Sequence, residues 1–159
     1  MHQRTLDFSA SQLIRVLFSD TSLEGLRDYF AQLILSIYPG CDGVATVVPP
    51  GIREDELLET AAKQRFDLAI LILNNIFYAP YDSAWRVATL DSDGILLTRR
   101  MICLFKVPII ALYGSPDDPL HAARLLEAGA AAALKLPCQS EEMKQALRHS
   151  LRRRAAPDT

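Results

Sequence analysis

Three cysteines and three histidines are the side chains of this 159-residue sequence best suited to nucleophilic or metal chemistry, and their spacing serves neither. Cys41, Cys103 and Cys138 are an odd count, far apart, with no CxxC pair, so neither a disulfide framework nor a zinc site is expected. They read as small apolar fillers. Cys138 follows Pro137 at a strand exit, but nothing near it in sequence would activate the thiol. His2, His121 and His149 are scattered and expected to face solvent. Asp55, Glu56 and Glu59 fall on one charged helix and read as its solvated face. Arg152, Arg153 and Arg154 sit where a helix C-terminus favours cations; contact with an acidic partner is the alternative. No P-loop, GxGxxG, HExxH or nucleophile–His–acid pattern occurs. No catalytic residue, metal or cofactor is therefore expected.

Apolar runs alternate with amphipathic stretches along the chain. Leu13–Phe18 (LIRVLF), Gly43–Val48 (GVATVV), Asp67–Leu73 (DLAILIL), Val107–Leu112 (VPIIAL) and Ala131–Leu136 read as strands. The third is apolar at nearly every position, which predicts a central strand covered on both faces. After the first strand, Thr21 and Glu24 have capping-box spacing, and Leu23, Leu26, Phe30, Leu33 and Ile37 recur at helical intervals. Glu54–Arg65 and Gly94–Phe105 are expected helices. A fourth runs from Ser115–Asp118 through Ala128, with Gly129 as its C′ glycine. Ser140 should cap the last, to about Arg154. Five β-α repeats predict one three-layer α/β domain over residues 1–159: a parallel sheet with helices on both faces.

Composition narrows the partners. Lys and Arg number 17 and Asp and Glu 19, for a formal charge of −2, so no global basic field exists to grip nucleic acid or a membrane surface. No apolar run spans a bilayer and the start has no signal-peptide pattern, so a cytoplasmic protein is expected.

Five stretches, in order, resemble the receiver domain of two-component response regulators. RVLFSD is similar to the family's first strand and acidic end, and FDLAILIL to its PDLVLLD strand. DGILLTRRM resembles the start of its third helix, VPIIALYGSPDD its TPIIALTA segment, and LLEAGAAAALKLP its ALEAGADDYLTKP segment. The match covers nearly the whole chain. It implies a five-stranded flavodoxin-like sandwich of strand order 2-1-3-4-5, and a cis peptide before Pro137.

The family's chemistry needs two acids after the first strand for Mg²⁺, an aspartate ending the third strand, a hydroxyl after the fourth and a lysine before the last proline. A hard cation wants oxygen ligands, and a transferred phosphoryl group wants its charge neutralised. Transferred residue by residue, the resemblance assigns Asp20 and Thr21 to the acids, Ile72 to the acceptor, Tyr113 to the hydroxyl and Leu136 to the lysine. An alkyl side chain has no lone pair to take a phosphoryl group. Lys135 is one residue from the lysine position and should point to the opposite face. Asn74 is no substitute acceptor, since an amide is a poor nucleophile. Asp20 is either a remnant metal ligand or, as favoured here, an anion beside a helix N-terminus. Tyr113 is expected to be a packed or half-exposed tyrosine rather than a switch. The implied protein is a pseudo-receiver: receiver fold without receiver chemistry.

One connection departs from the family. Between Leu73 and Asp93 lie 19 residues, NNIFYAPYDSAWRVATLDS, where a βα loop takes about 2–6. This insertion, approximately 74–92, carries Phe77, Tyr78, Tyr81 and Trp85, four of the chain's twelve aromatic residues. Such a segment should pack, either over its own sheet's carboxyl edge or at an interface. The interface is preferred, and with it a homodimer. The chain runs only four or five residues past its last expected helix, so it is expected to act through a protein partner: a sensor kinase, a regulator or itself. Neither nucleic acid nor membrane is expected. The alternative function is small-molecule binding in the crevice at the strand carboxyl ends, lined by Asp20, Tyr113 and the insertion.

Overall fold

The structure is a computed structural model, and it describes residues 13–19, 24–76, 83–114 and 119–155. In chain order the elements are β1 (Leu13–Phe18), α1 (Glu24–Ile37), β2 (Gly43–Val47), α2 (Glu54–Lys63), β3 (Leu68–Ile72), α3 (Ser83–Phe105), β4 (Ile109–Tyr113), α4 (His121–Glu127), β5 (Ala132–Lys135) and α5 (Ser140–Ala155). A single 3-10 turn, Leu73–Asn75, follows β3. All strand pairings are parallel, in the expected order β2-β1-β3-β4-β5.

Strand alternation divides the core in two. Ile14, Val16 and Phe18 of β1, Leu68, Ile70 and Ile72 of β3, and Ile110 and Leu112 of β4 pack with Phe30 and Ile34 of α1 and Met143, Leu147 and Leu151 of α5. Leu17, Ala69, Leu71, Ala111 and Tyr113 turn to the other face, against Leu57 of α2, Leu97 and Met101 of α3 and Leu125 of α4. Every residue of β3 and β4 is buried, as the unbroken apolar runs require. Asp67 fastens the start of β3 to β1. Its Oδ2 accepts from the Arg15 amide at 3.0 Å, and its own amide donates to the Arg15 carbonyl at 2.7 Å. Buried hydroxyls are satisfied locally: Thr98 Oγ1 donates to the Gly94 carbonyl and Ser150 Oγ to the Ala146 carbonyl.

Helix ends follow local chemistry. Gly129 has φ of +116°; its amide donates to the Leu126 carbonyl and the Ala130 amide to the Leu125 carbonyl, the two bonds of a Schellman ending. A Cβ there would also come within 3.1 Å of Ile102 on α3, so glycine allows both the turn and the close approach of α4 to α3. Glu56 Oε1 accepts from the Arg53 amide at the head of α2, and Glu142 Oε1 from the Gln139 amide at the head of α5.

Several expectations are corrected. The third helix begins at Ser83 rather than Gly94, so half of the supposed loop insertion, Ser83 to Ser92, is helix. No proline or glycine interrupts residues 83–93, and Ala, Arg and Leu carry the helix back through them. Ser140 is not the final helix's cap but its first residue, and its Oγ lies 3.1 Å from the Tyr29 hydroxyl of α1. His121 is not solvent-facing: it is 2% exposed. Cys41 is buried and Cys138 partly so, but Cys103 is exposed and fills nothing. The Thr21–Glu24 capping box and the start of the fourth helix at Ser115–Asp118 lie outside the described residues.

Candidate functional site

In open α/β sheets ligands and chemistry gather at the carboxyl ends of the strands. Here that edge is formed by Ser19 after β1, Ile72 at the end of β3, Asn74 in the turn beyond it, Tyr113 and Gly114 at the end of β4, and Leu136 beyond β5. The strand register sets these positions, with Ile72 beside Leu112 and Tyr113 beside Lys135.

The expected acceptor and lysine positions both belong to one apolar cluster. Ile72 is 4% exposed and belongs to the core between the sheet and the α1–α5 layer, and Leu136 packs, partly buried, against the same cluster. Lys135, one residue back, is exposed. The Leu136–Pro137 peptide is cis, as the resemblance implies. Tyr113 goes to the opposite side of the sheet, where it is buried with its ring edge-to-face on His121 at 4.8 Å between centroids. It is packed, as expected, and does not converge on Ile72. Asp20, Thr21, Phe77, Tyr78 and Tyr81 lie outside the described residues. Trp85 lies in the first turns of α3.

The bonding roles of two further residues at this edge escaped the sequence reading. Ser19 is buried, and its Oγ accepts from the Ile72 amide at 2.9 Å. Asn74 Oδ1 accepts from the Gly114 amide. Each bond joins neighbouring strand ends that are 53 and 40 residues apart in sequence respectively, so no local pattern could have revealed them.

Among the described residues, the titratable groups near the edge do not form a reactive set. Burial, then the Glu142 carboxylate, push the Cys138 thiol above its ordinary value, which keeps it protonated and weakly nucleophilic at neutral pH. On the α1–α5 side, burial likewise raises the Tyr38 hydroxyl, against the opposing pull of Arg152 and Arg148. Glu54, the first residue of α2 and 8% exposed, pairs with the half-exposed Arg100 of α3 at 3.0 Å. Among the described residues, no group of three or more His, Cys, Asp or Glu side chains could hold a metal ion. Among them, too, no helix is long and apolar enough to cross a membrane.

No family model matches the chain, and no curated protein does. Solved structures do. A two-component response regulator from Clostridium difficile aligns over 92% of this chain and 100% of its own, with 14% identity and a TM-score of 0.59. A response regulator receiver domain protein from Methanospirillum hungatei aligns over 91% and 97%, with 16% identity and a TM-score of 0.59. The signal receiver domain of an HD domain-containing protein from Pseudomonas fluorescens aligns over 91% and 98%, with 20% identity and a TM-score of 0.57. The fold is therefore that of response-regulator receiver domains, a flavodoxin-like α/β sandwich.

Proposed function

We propose that the chain is a pseudo-receiver, a signalling or regulatory module that works by protein–protein contact without being phosphorylated and without catalysing a reaction. The observation that carries this reading is the apolar burial of Ile72. At the carboxyl end of the central strand, where the family's acceptor would stand, the side chain is part of the core, and Leu136 at the lysine position joins the same cluster. Neither can attack a phosphodonor or balance a phosphoryl charge. Incubation with acetyl phosphate and Mg²⁺, followed by intact-mass analysis, is expected to leave the mass unchanged. A phosphoryl adduct on any residue would refute the reading.

A ligand-binding crevice is the second reading, and the geometry favours it less. The strand-end amides of Ile72 and Gly114 are taken by Ser19 and Asn74, and Tyr113 is packed on His121. A contact module instead needs apolar surface outside the core, and Leu96 and Leu104 on α3 are 47% and 59% exposed. The partner in this proposal is a sensor kinase, another regulator or a second copy, in the cytoplasm, with no nucleic acid or membrane involved. A homodimer is expected, anchored through the segment that carries Phe77, Tyr78, Tyr81 and Trp85. Trp85→Ala should then convert dimer to monomer in sedimentation at tens of micromolar while leaving the urea midpoint of the monomer nearly unchanged. A variant that stays dimeric but unfolds more easily would place Trp85 within its own chain's core and refute the anchor.

A further inference from the structure

Main-chain N–H groups at the carboxyl ends of parallel strands point into the crevice where such sheets hold their ligands. Left without a partner from the chain they are donors for an anion, a substrate oxygen or water. In this protein two of them are already engaged by side chains. The Ile72 amide, ending β3, donates to Ser19 Oγ from the end of β1. The Gly114 amide, just beyond β4, donates to Asn74 Oδ1 from the turn beyond β3. Because β1, β3 and β4 are neighbours in the sheet, the two bonds run in series across its carboxyl edge.

We infer that Asn74 is an internal latch: its carboxamide oxygen occupies the donor at the end of β4 that a bound anion would otherwise take, and so joins the β3–α3 connection to the β4–α4 connection in one ligand-independent arrangement. The chemistry is suited to the role. A carboxamide oxygen is a neutral acceptor, so it satisfies the amide without a counter-cation. Gly114 is itself exposed, and this bond engages its amide at the surface. The latch joins segments, not merely atoms. Asn74 stands in the turn leading toward α3, and Gly114 begins the connection to α4, whose first residue, His121, carries the ring against which Tyr113 packs. This inference rests on the proposed absence of acceptor chemistry and explains what replaces it: an edge held in one state by its own side chains.

Amide exchange and chemical shifts read by NMR test it on the full chain. In the wild type, the Gly114 amide should exchange more slowly than an unstructured glycine and should not shift when inorganic phosphate is added. Asn74→Ala should speed Gly114 exchange roughly fivefold or more, as loss of one hydrogen bond dictates, and shift the Tyr113 and His121 resonances. The Ile72 amide, held by Ser19, should keep its protection. Asn74→Asp, which retains an acceptor oxygen in the same place, should keep Gly114 protected. The latch is overturned if Gly114 exchange is unchanged in Asn74→Ala, if phosphate shifts Gly114 in the wild type, or if Asn74→Ala speeds exchange equally across the sheet. A phosphoryl adduct from acetyl phosphate would refute the pseudo-receiver reading whatever Gly114 does, and fast Gly114 exchange with no adduct would refute only the latch.

Discussion

Ile72→Asp is expected to destabilise the fold by about 3 kcal/mol or more and to yield no phosphoprotein. The side chain is 4% exposed and lies in the cluster that holds Phe18, Ile70 and Leu112. The substitution removes the apolar burial of an isoleucine and introduces a carboxyl among hydrocarbons. There, burial raises the new carboxyl's folded pKa above its unfolded value. A raised acid contributes least destabilisation below the unfolded pKa, near 4, and progressively more as pH rises toward the folded value. The urea midpoint of the variant should therefore fall furthest below wild type at neutral pH and recover part of the gap near pH 4. Equal midpoints at pH 7 would mean that the site is hydrated or already polar, against the packing described. The new aspartate is expected to stay unphosphorylated, because Leu136 supplies no cation to balance a phosphoryl charge.

Phe18→Ala carries a similar expected cost for a different reason. Phe18 ends β1, is 1% exposed and lies 5.7 Å, ring to ring, from Phe30 of α1. Truncation leaves a cavity between sheet and helix that neighbouring strands, hydrogen-bonded on both sides of β1, cannot close. The expected loss is about 3–5 kcal/mol, seen as a lower urea midpoint at an unchanged m value. Phe18→Leu, which keeps most of the volume, should lose distinctly less. A loss below about 1 kcal/mol for alanine would contradict the assignment of Phe18 to the α1–α5 core.

Strand order and helix placement were legible because the apolar runs are short, bounded and regularly spaced. DLAILIL and VPIIAL announce central strands by lacking any solvated face, and the five collinear resemblances fix their order. The start of α3 was not legible. Asp91, Ser92 and Asp93 beside Gly94 look like a helix N-terminus, yet the helix runs through them from Ser83, so local capping preference yielded to continuation of the helix. The burial of His121 could have been seen, since it lies four residues before Leu125 on the same helical face, the one that is buried. The edge itself resisted reading. Ile72 and Leu136 could be assigned from the resemblance, but that they share one apolar cluster while Tyr113 crosses to the other depends on strand phase. Ser19 and Asn74 acquire a role only once β1, β3 and β4 are known to be neighbours.

The length of α3 sets a geometric ratio. At 23 residues the helix is about 34 Å from end to end, and its buried seat, Leu97 and Met101, lies in its C-terminal half. The stretch from Ser83 to Asp93 adds about 16 Å of rod ahead of that seat. A tilt of about 10° at the seat would carry the Ser83 end through about 3 Å, a distance comparable to a hydrogen bond's length. By axis geometry alone, a tilt at Leu97 is larger at Trp85, twelve residues up the helix, than at the sheet.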